Sequence, residues 1–187
     1  MQLVTERLIL REMVEEDWRS LYAIESDPEI VRYLTKDVRS EDDALQYIQE
    51  IRFAAHAEPR TIYDLAITRR DDHARPPAMI GRCGMRRGDA EPREAMIWYV
   101  VAPAHHGHGY ASEAVRAMLG YAFEEIGLHR VYGDCDPRNP ASARVMQKVG
   151  MRREAHFIEN ADIKGEWCDS LIYAMLRREW LAAKVTR

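Results

Sequence analysis

Three signals follow one another without interruption between residues 95 and 123, and together they restrict the fold more than anything else in the chain. Ala95 to Val101 is almost wholly apolar (Met96, Ile97, Trp98, Tyr99, Val100, Val101), the pattern of a central strand covered on both faces. The turn Ala102-Pro103-Ala104-His105-His106-Gly107-His108-Gly109 comes next. It runs straight into a helix with Ala111, Ala114, Val115, Met118, Leu119, Ala122 and Phe123 on one face, and Gly127 stops that helix. A strand, a glycine turn and a helix N-terminus make an anion trap, because unpaired backbone N–H groups converge there and the helix macrodipole adds partial positive charge. Gly107 and Gly109 let the backbone approach a phosphate closely. Nucleotide versions of the trap fit poorly. A P-loop needs Gly-Lys-Ser/Thr and no lysine follows this turn, while a dinucleotide fingerprint needs a third glycine where Ser112 stands.

Around this segment, strands alternate with helices. Leu8 to Leu10 reads as a strand, and Glu15-Glu16-Asp17 as a helix start, since carboxylates favour the positive end. Leu21, Ile24, Ile30, Val31 and Leu34 are spaced for helical packing around a break at Asp27-Pro28. Ser40 with Asp43 is a capping pattern that opens a further helix, whose apolar face is Ala44, Tyr47, Ile48, Ile51 and Ala55. From Thr61 the period becomes two, with Tyr63, Leu65 and Ile67 on one face and Ile62, Asp64 and Ala66 on the other. Asp71 to Pro77 is a loop, and Met79 to Arg86 and Arg130 to Asp136 are further strands. Pro140 to Val149 is a short helix capped by Gly150, and Phe157 onward is a hairpin turning near Lys164-Gly165. With no repeat or linker, the chain reads as a single domain over residues 1–187, a mixed α/β or α+β sheet with helices on its faces.

Composition narrows the class. Of 187 residues, 47% are hydrophobic and 31% charged, with three Cys, ten Gly and eight Pro, which excludes a disordered, collagen-like or disulfide-scaffold chain. The net charge of −4 gives no electrostatic reason to expect a nucleic-acid partner. Cys83, Cys135 and Cys168 have no paired spacing, which suits a reducing cytoplasm, and Cys135 in its apolar strand reads as a small buried hydrophobe rather than a nucleophile. Glu6, Arg7 and Arg11 interrupt the N-terminal apolar residues, so neither a signal peptide nor a membrane span is expected there. His105, His106 and His108 point in different directions from one loop with no carboxylate spaced to complete a site, so no metal is expected.

The run His106-Gly107-His108-Gly109-Tyr110-Ala111-Ser112-Glu113-Ala114 resembles the pyrophosphate loop of the GNAT acetyltransferases, Q/R-x-x-G-x-G/A, in the form of the RimJ/RimL-like branch. Further matches to that branch follow in order: Thr5-Glu6-Arg7-Leu8, Asn139-Pro140-Ala141-Ser142, Lys148-Val149-Gly150-Met151, Gly165-Glu166-Trp167 to Asp169, and Glu179-Trp180. The resemblance implies the GNAT fold, a mixed, mostly antiparallel sheet splayed at the cofactor site with helices on both faces. It also implies transfer of an acetyl group from acetyl-CoA to a primary amine by direct attack in a ternary complex. Acceptors in the family are protein or peptide N-terminal α-amines and small-molecule amines, and homodimers are common in it.

By the same resemblance, Tyr99, Val100 and Val101 hold the pantetheine arm as an added strand would, and His106, Gly107, His108, Gly109, Tyr110 and Ala111 hold the pyrophosphate. Backbone N–H groups at the end of that strand are placed to stabilise a developing oxyanion. His106 stands where the motif prefers Gln or Arg, but the cradle depends on N–H groups rather than on side-chain identity. Asn139 matches the asparagine that hydrogen-bonds the pantetheine and doubles as a helix N-cap, and Ser142 matches the hydroxyl near the thiol, an acid for the departing thiolate. The base is open between Glu94, whose neighbour Met96 occupies the usual carboxylate position, Glu159 before the terminal hairpin, and a water chain with no dedicated base. Ser26 to Glu58 and Asn160 to Trp167 are the segments expected to build the acceptor cleft. A catalytically silent CoA-binding module is the alternative from a different class.

Overall fold

The computed structural model describes residues 1–88 and 90–185; of the 1–187 domain read from the sequence, Asp89, Thr186 and Arg187 lie outside the described residues. Eight strands form one sheet: β1 (Gln2–Val4), β2 (Leu8–Glu12), β3 (Ile62–Arg69), β4 (Met79–Arg87), β5 (Glu94–Val101), β6 (Arg130–Cys135), β7 (Arg152–Ile163) and β8 (Glu166–Leu176). Their spatial order is β1-β2-β3-β4-β5-β6-β8-β7, antiparallel at every pair except the parallel pair β5–β6. The helices are α1 (Trp18–Glu25), α2 (Pro28–Val31), α3 (Glu41–Ala54), α4 (Tyr110–Gly120, carried on by a wider turn over Tyr121–Glu125), α5 (Pro140–Lys148) and α6 (Arg177–Val185).

Local chemistry accounts for the boundaries. Ser40 caps α3 as its spacing requires: its Oγ accepts from the Asp43 N–H at 3.1 Å, and Asp43 accepts the Ser40 N–H in return at 3.0 Å. Asp27 accepts from the Glu29 N–H at 2.9 Å and Pro28 opens α2, so the break at Asp27-Pro28 starts a second short helix. The terminal hairpin begins at Arg152 rather than Phe157, because β7 is an exposed edge strand with little apolar alternation to announce it.

The sheet has a core on each face. On one face Leu8, Leu65, Met85 and Ile97 pack with Val115, Met118 and Phe123 of α4 and Met146 of α5. On the other, Ala66 and Met79 meet Leu21 and Ile24 of α1 and Ala44, Ile48 and Ile51 of α3. α4, α5 and α6 pack along the first face from β2 to β8, whereas α1 and α3 pack on β4 and β3. The second face of β5 and its neighbours β6 and β8 is therefore left open.

β5 is central, as its apolar run suggested, but it is not covered on both faces. Met96 is 37% exposed, and Trp98 and Val100 are only half-buried. The reason is a splay. β5 pairs with β4 along its length, from Ala95 opposite Arg87 to Val101 opposite Gly81, yet it pairs with β6 only at Glu94–Arg130, Ala95–Val131 and Met96–Tyr132. Beyond Met96 the two parallel strands separate, and the half-open apolar residues border the gap.

Candidate active site

The glycine turn after β5 is built as a cradle. Gly107 and Gly109 hold φ of +77° and +79°, and Gly109 is the N-cap of α4. A Cβ on Gly109 would lie 3.6 Å from Arg7 Nη2 and 3.6 Å from Lys148 Nζ, so two cations from distant parts of the chain flank the α4 N-terminus. Arg7 is fixed there by Glu113 of α4 (Nε to Oε2, 2.7 Å), by donation to the His108 carbonyl at 2.9 Å, and by its place over the Tyr110 ring at 5.0 Å. Thr5 Oγ1 donates to Glu113 as well, at 2.6 Å. Burial acts to raise the Glu113 carboxyl, but the hydrogen bonds from Thr5 and Arg7 outweigh it and hold the group below its ordinary range.

The loop histidines shape this cradle from behind. His106 Nε2 donates to the Val101 carbonyl at 2.7 Å, which turns the ring back onto β5. His108 Nδ1 donates to the His106 carbonyl at 2.8 Å, and its ring stacks on Tyr110 with centroids 5.5 Å apart.

Side chains of β5 at Ala95, Ile97 and Val101 belong to the core under α4 and α5, and Tyr99 packs against that core. The Tyr99 hydroxyl lies 2.9 Å from both the Ser142 carbonyl and the Ser142 Oγ at the start of α5. Burial pushes the Tyr99 phenol above its ordinary range, against the opposing pull of the Ser142 bond. Asn139 caps α5, its Oδ1 accepting from the Ser142 N–H at 3.1 Å. Cys135, at the end of β6, is 7% exposed, and burial together with Asp134 and Asp136 pushes its thiol up to about 11.

The alternate β5 side chains, Met96 and Trp98, stand on the open face. Asp64 of β3, Gly84 of β4 and Trp98 of β5 are cross-strand neighbours in one row. A Cβ on Gly84 would lie 2.6 Å from the Trp98 ring and 2.7 Å from Asp64 Oδ1, so the missing side chain lets the indole lie down over β4. Beneath it runs a buried polar network. Tyr47 donates to Asp64, Arg82 reaches Asp64 at 2.9 Å and Glu25 at 2.6 Å, and Arg39 pairs with the other oxygen of Glu25. The Arg39 N–H also donates to the Glu25 carbonyl at 2.9 Å, which ties down the segment between α2 and α3.

One cleft of about 720 Å³ joins the two faces through the splay. The cradle, Tyr99 and Ser142 line one end; Met96, Trp98, Asp134 and the segment Glu29–Thr35 line the other, with Ala161 and Ile163 of the hairpin. Lys164 at the hairpin tip donates to the Val31 carbonyl at 2.8 Å and lies 3.6 Å from Asp37, latching the hairpin to α2 across the mouth.

Tyr99, Val100, Val101, His106, Gly107, Gly109, Tyr110, Ala111, Asn139 and Ser142 all line this cleft. The two carboxylates favoured as base are not brought to it. Glu94 opens β5 and is held by Arg130 at 3.2 Å, while Glu159 sits on the exposed edge at φ +43°, donating its N–H to Asp169 at 2.9 Å. In the sequence, Arg7 and Lys148 counted only as parts of the matches Thr5-Glu6-Arg7-Leu8 and Lys148-Val149-Gly150-Met151, and Asp134 only as part of the strand Arg130 to Asp136. The first two meet the cradle only through tertiary folding; Asp134 had a signal, an acidic residue within a strand otherwise bound for the core.

Residues 7–152 match the acetyltransferase (GNAT) domain family. The chain is 35% identical over 180 residues to the uncharacterized N-acetyltransferase YnaD of Bacillus subtilis (strain 168), an alignment spanning 96% of this chain and 99% of that protein. A crystal structure of a GNAT-family acetyltransferase from Bacillus anthracis superposes with a TM-score of 0.84 at 30% identity, over 96% of this chain and all of that one. At 22% identity, the spermidine N-acetyltransferase of Vibrio cholerae in complex with CoA and spermine shares the fold, with a TM-score of 0.77 over 95% and 99% of the two chains.

Proposed function

Since the chain belongs to the GNAT family of acetyltransferases and is an N-acetyltransferase of that fold, we propose that it moves the acetyl group of acetyl-CoA onto a primary amine that enters as a cation, within the RimJ/RimL-like branch. The observation that carries the reading is the polarity of the cleft. Arg7 and Lys148 flank the cradle, which favours an anionic donor there. Of the carboxylates that line the cleft, Glu29, Asp136 and Asp169 face Arg32, Arg138 and His156, which leaves Asp134 on the open face to favour a cationic acceptor. The acceptor is a protein or peptide N-terminal α-amine or a small-molecule amine, and the open face beside Met96 and Trp98 receives it.

The residues present fit the donor. Positive φ at Gly107 and Gly109 opens the α4 N-terminus to a pyrophosphate, and Arg7 and Lys148 supply charge beside it. β5 has lost β6 beyond Met96, so the edge from Ile97 onward accommodates an extended pantetheine arm. Bound there, acetyl-CoA supplies a thioester carbonyl for attack and a thiolate as leaving group. Ser142, coupled to Tyr99 by hydroxyl–hydroxyl contact, delivers the proton that the thiolate needs.

Release of free CoA thiol across a panel of amines, read beside calorimetric CoA binding, tests this. N-terminal Ala, Ser and Met peptides, polyamines and aminoglycosides make up the panel. Turnover with one amine class is the expected result and names the acceptor. CoA binding without turnover on any class favours the silent CoA-binding module, and absence of CoA binding overturns the donor assignment. Ser142→Ala and Tyr99→Phe should each lower turnover by about 10-fold or more while leaving CoA affinity within about twofold.

A further inference from the structure

We infer that Asp134 is the group that holds the acceptor's ammonium at the splay and takes its proton. This rests on the acetyl-transfer reading above and places the base on a carboxylate that lines the cleft, which Glu94 and Glu159 do not.

Placement comes first. Asp134 lies on β6 opposite Ile172 of β8. Its strand neighbours point the other way: Cys135 belongs to the core under α4 and α5, and a Cβ on Gly133 would meet Met146 and Ile97 at 3.2–3.3 Å. Alternation therefore sets the Asp134 side chain on the open face, the one that carries Met96 and Trp98, and it lines the cleft with them. β6 is the strand that departs from β5, so Asp134 borders the gap through which the acceptor face meets Tyr99 and Ser142.

Elimination among the cleft's carboxylates comes second. Asp136 is engaged by Arg138 at 2.7 Å. Asp169 accepts from His156 at 2.8 Å and from the Glu159 N–H at 2.9 Å. Glu29 stands exposed at the rim, 3.8 Å from Arg32. Among the described residues, the Asp134 carboxylate has no ion pair and no hydrogen bond from another side chain. None of the side chains beside it carries a positive charge: Met96 and Trp98 from β5, Ser170 and Ile172 from β8, and Tyr132 and Cys135 on its own strand.

Chemistry comes third. The Asp134 side chain is exposed toward the cleft, and the partial desolvation imposed by the cleft walls raises its carboxyl above the ordinary range. A carboxylate with no ion pair and a raised affinity for protons is a poor structural ion and a suitable base. The indole of Trp98 on the same face adds an aromatic surface that favours a cation. In the step assigned here, one N–H bond of the acceptor ammonium breaks and its electron pair stays on nitrogen. The proton bonds to a carboxylate oxygen of Asp134 and leaves later to solvent along the open cleft.

Three measurements on Asp134→Asn and Asp134→Glu beside the parent chain decide the matter. Calorimetric CoA binding should be unchanged in both variants, which also reports that they fold. Turnover on the acceptor found by the amine panel should fall by about 100-fold in the Asn variant, with the Glu variant recovering part of it. Carbon-13 NMR of the parent, with the Asn variant used for assignment, should show the Asp134 carboxyl titrating above the ordinary aspartate range. Asn-variant turnover within threefold of the parent, or an Asp134 carboxyl titrating in the ordinary range, overturns the assignment while acetyl transfer stands. A parent chain that fails to bind CoA overturns the acetyl-transfer reading and this assignment with it.

Discussion

In the proposed donor site Gly109 matters more than any side chain in the loop, since its left-handed backbone caps α4 beside Arg7 and Lys148. Gly109→Asp should strain that backbone and place a negative charge among groups arranged for an anion. CoA affinity measured by calorimetry should drop by at least tenfold, and an unchanged affinity would remove the cradle from the donor site. Residues that were legible in sequence share one property: their role is local. The two glycines and the Asn139 cap act through neighbours a few positions away. His106 was placed correctly in the loop, but its ring serves the Val101 carbonyl, a partner set by how the turn folds back. Cys135 does behave as a small buried hydrophobe; with its thiol pushed up to about 11, little thiolate exists at neutral pH to attack a thioester.

At the scale of elements, Ser26 to Glu58 and Asn160 to Trp167 were expected to build the acceptor cleft; from them Glu29 to Thr35, Ala161 and Ile163 line the cleft, whereas α3 packs on β3 and α1 instead. What no local pattern announced is their connection through Lys164, whose partners Val31 and Asp37 lie far away in sequence. Lys164→Ala should free the hairpin tip from α2, raise the acceptor KM several-fold, and leave CoA affinity unaltered, because on the proposed reading the latch stands at the acceptor end. Steady-state kinetics at saturating acetyl-CoA read this directly, and a change in CoA binding of equal size would show that the latch instead supports the whole cleft. The apolar run of β5 was over-read for a related reason. Continuous hydrophobicity signals that a strand sits deep in a sheet, but it cannot tell a helix packed on its face from a cleft beside it.

Across the whole molecule, the two faces of the sheet are stabilised by different means. The α4 side is an apolar core, whereas the α1 and α3 side includes buried charge at Glu25, Asp64, Arg39 and Arg82. Burial acts to raise Glu25, yet Arg82 and Arg39 outweigh it and hold the carboxyl below its ordinary 4.5. A depressed carboxyl contributes stability that is fully present above 4.5 and is lost as pH falls through the lower folded value. Arg39→Met should therefore cost about 3–5 kcal/mol in urea unfolding at pH 7, and the loss should shrink toward pH 4 as Glu25 takes up a proton. An equal loss at both pH values would point to packing instead. The alternation set Asp64 on one strand face with Ile62 and Ala66; its burial there is intelligible only once Tyr47 and Arg82 arrive from α3 and β4. The gap between β5 and β6 has a kinetic meaning as well. On the proposed reading, donor and acceptor reach it from opposite faces of one sheet and neither has to vacate a shared doorway for the other, so the two would arrive and depart in either order and no acylated form of the protein need outlive a single encounter.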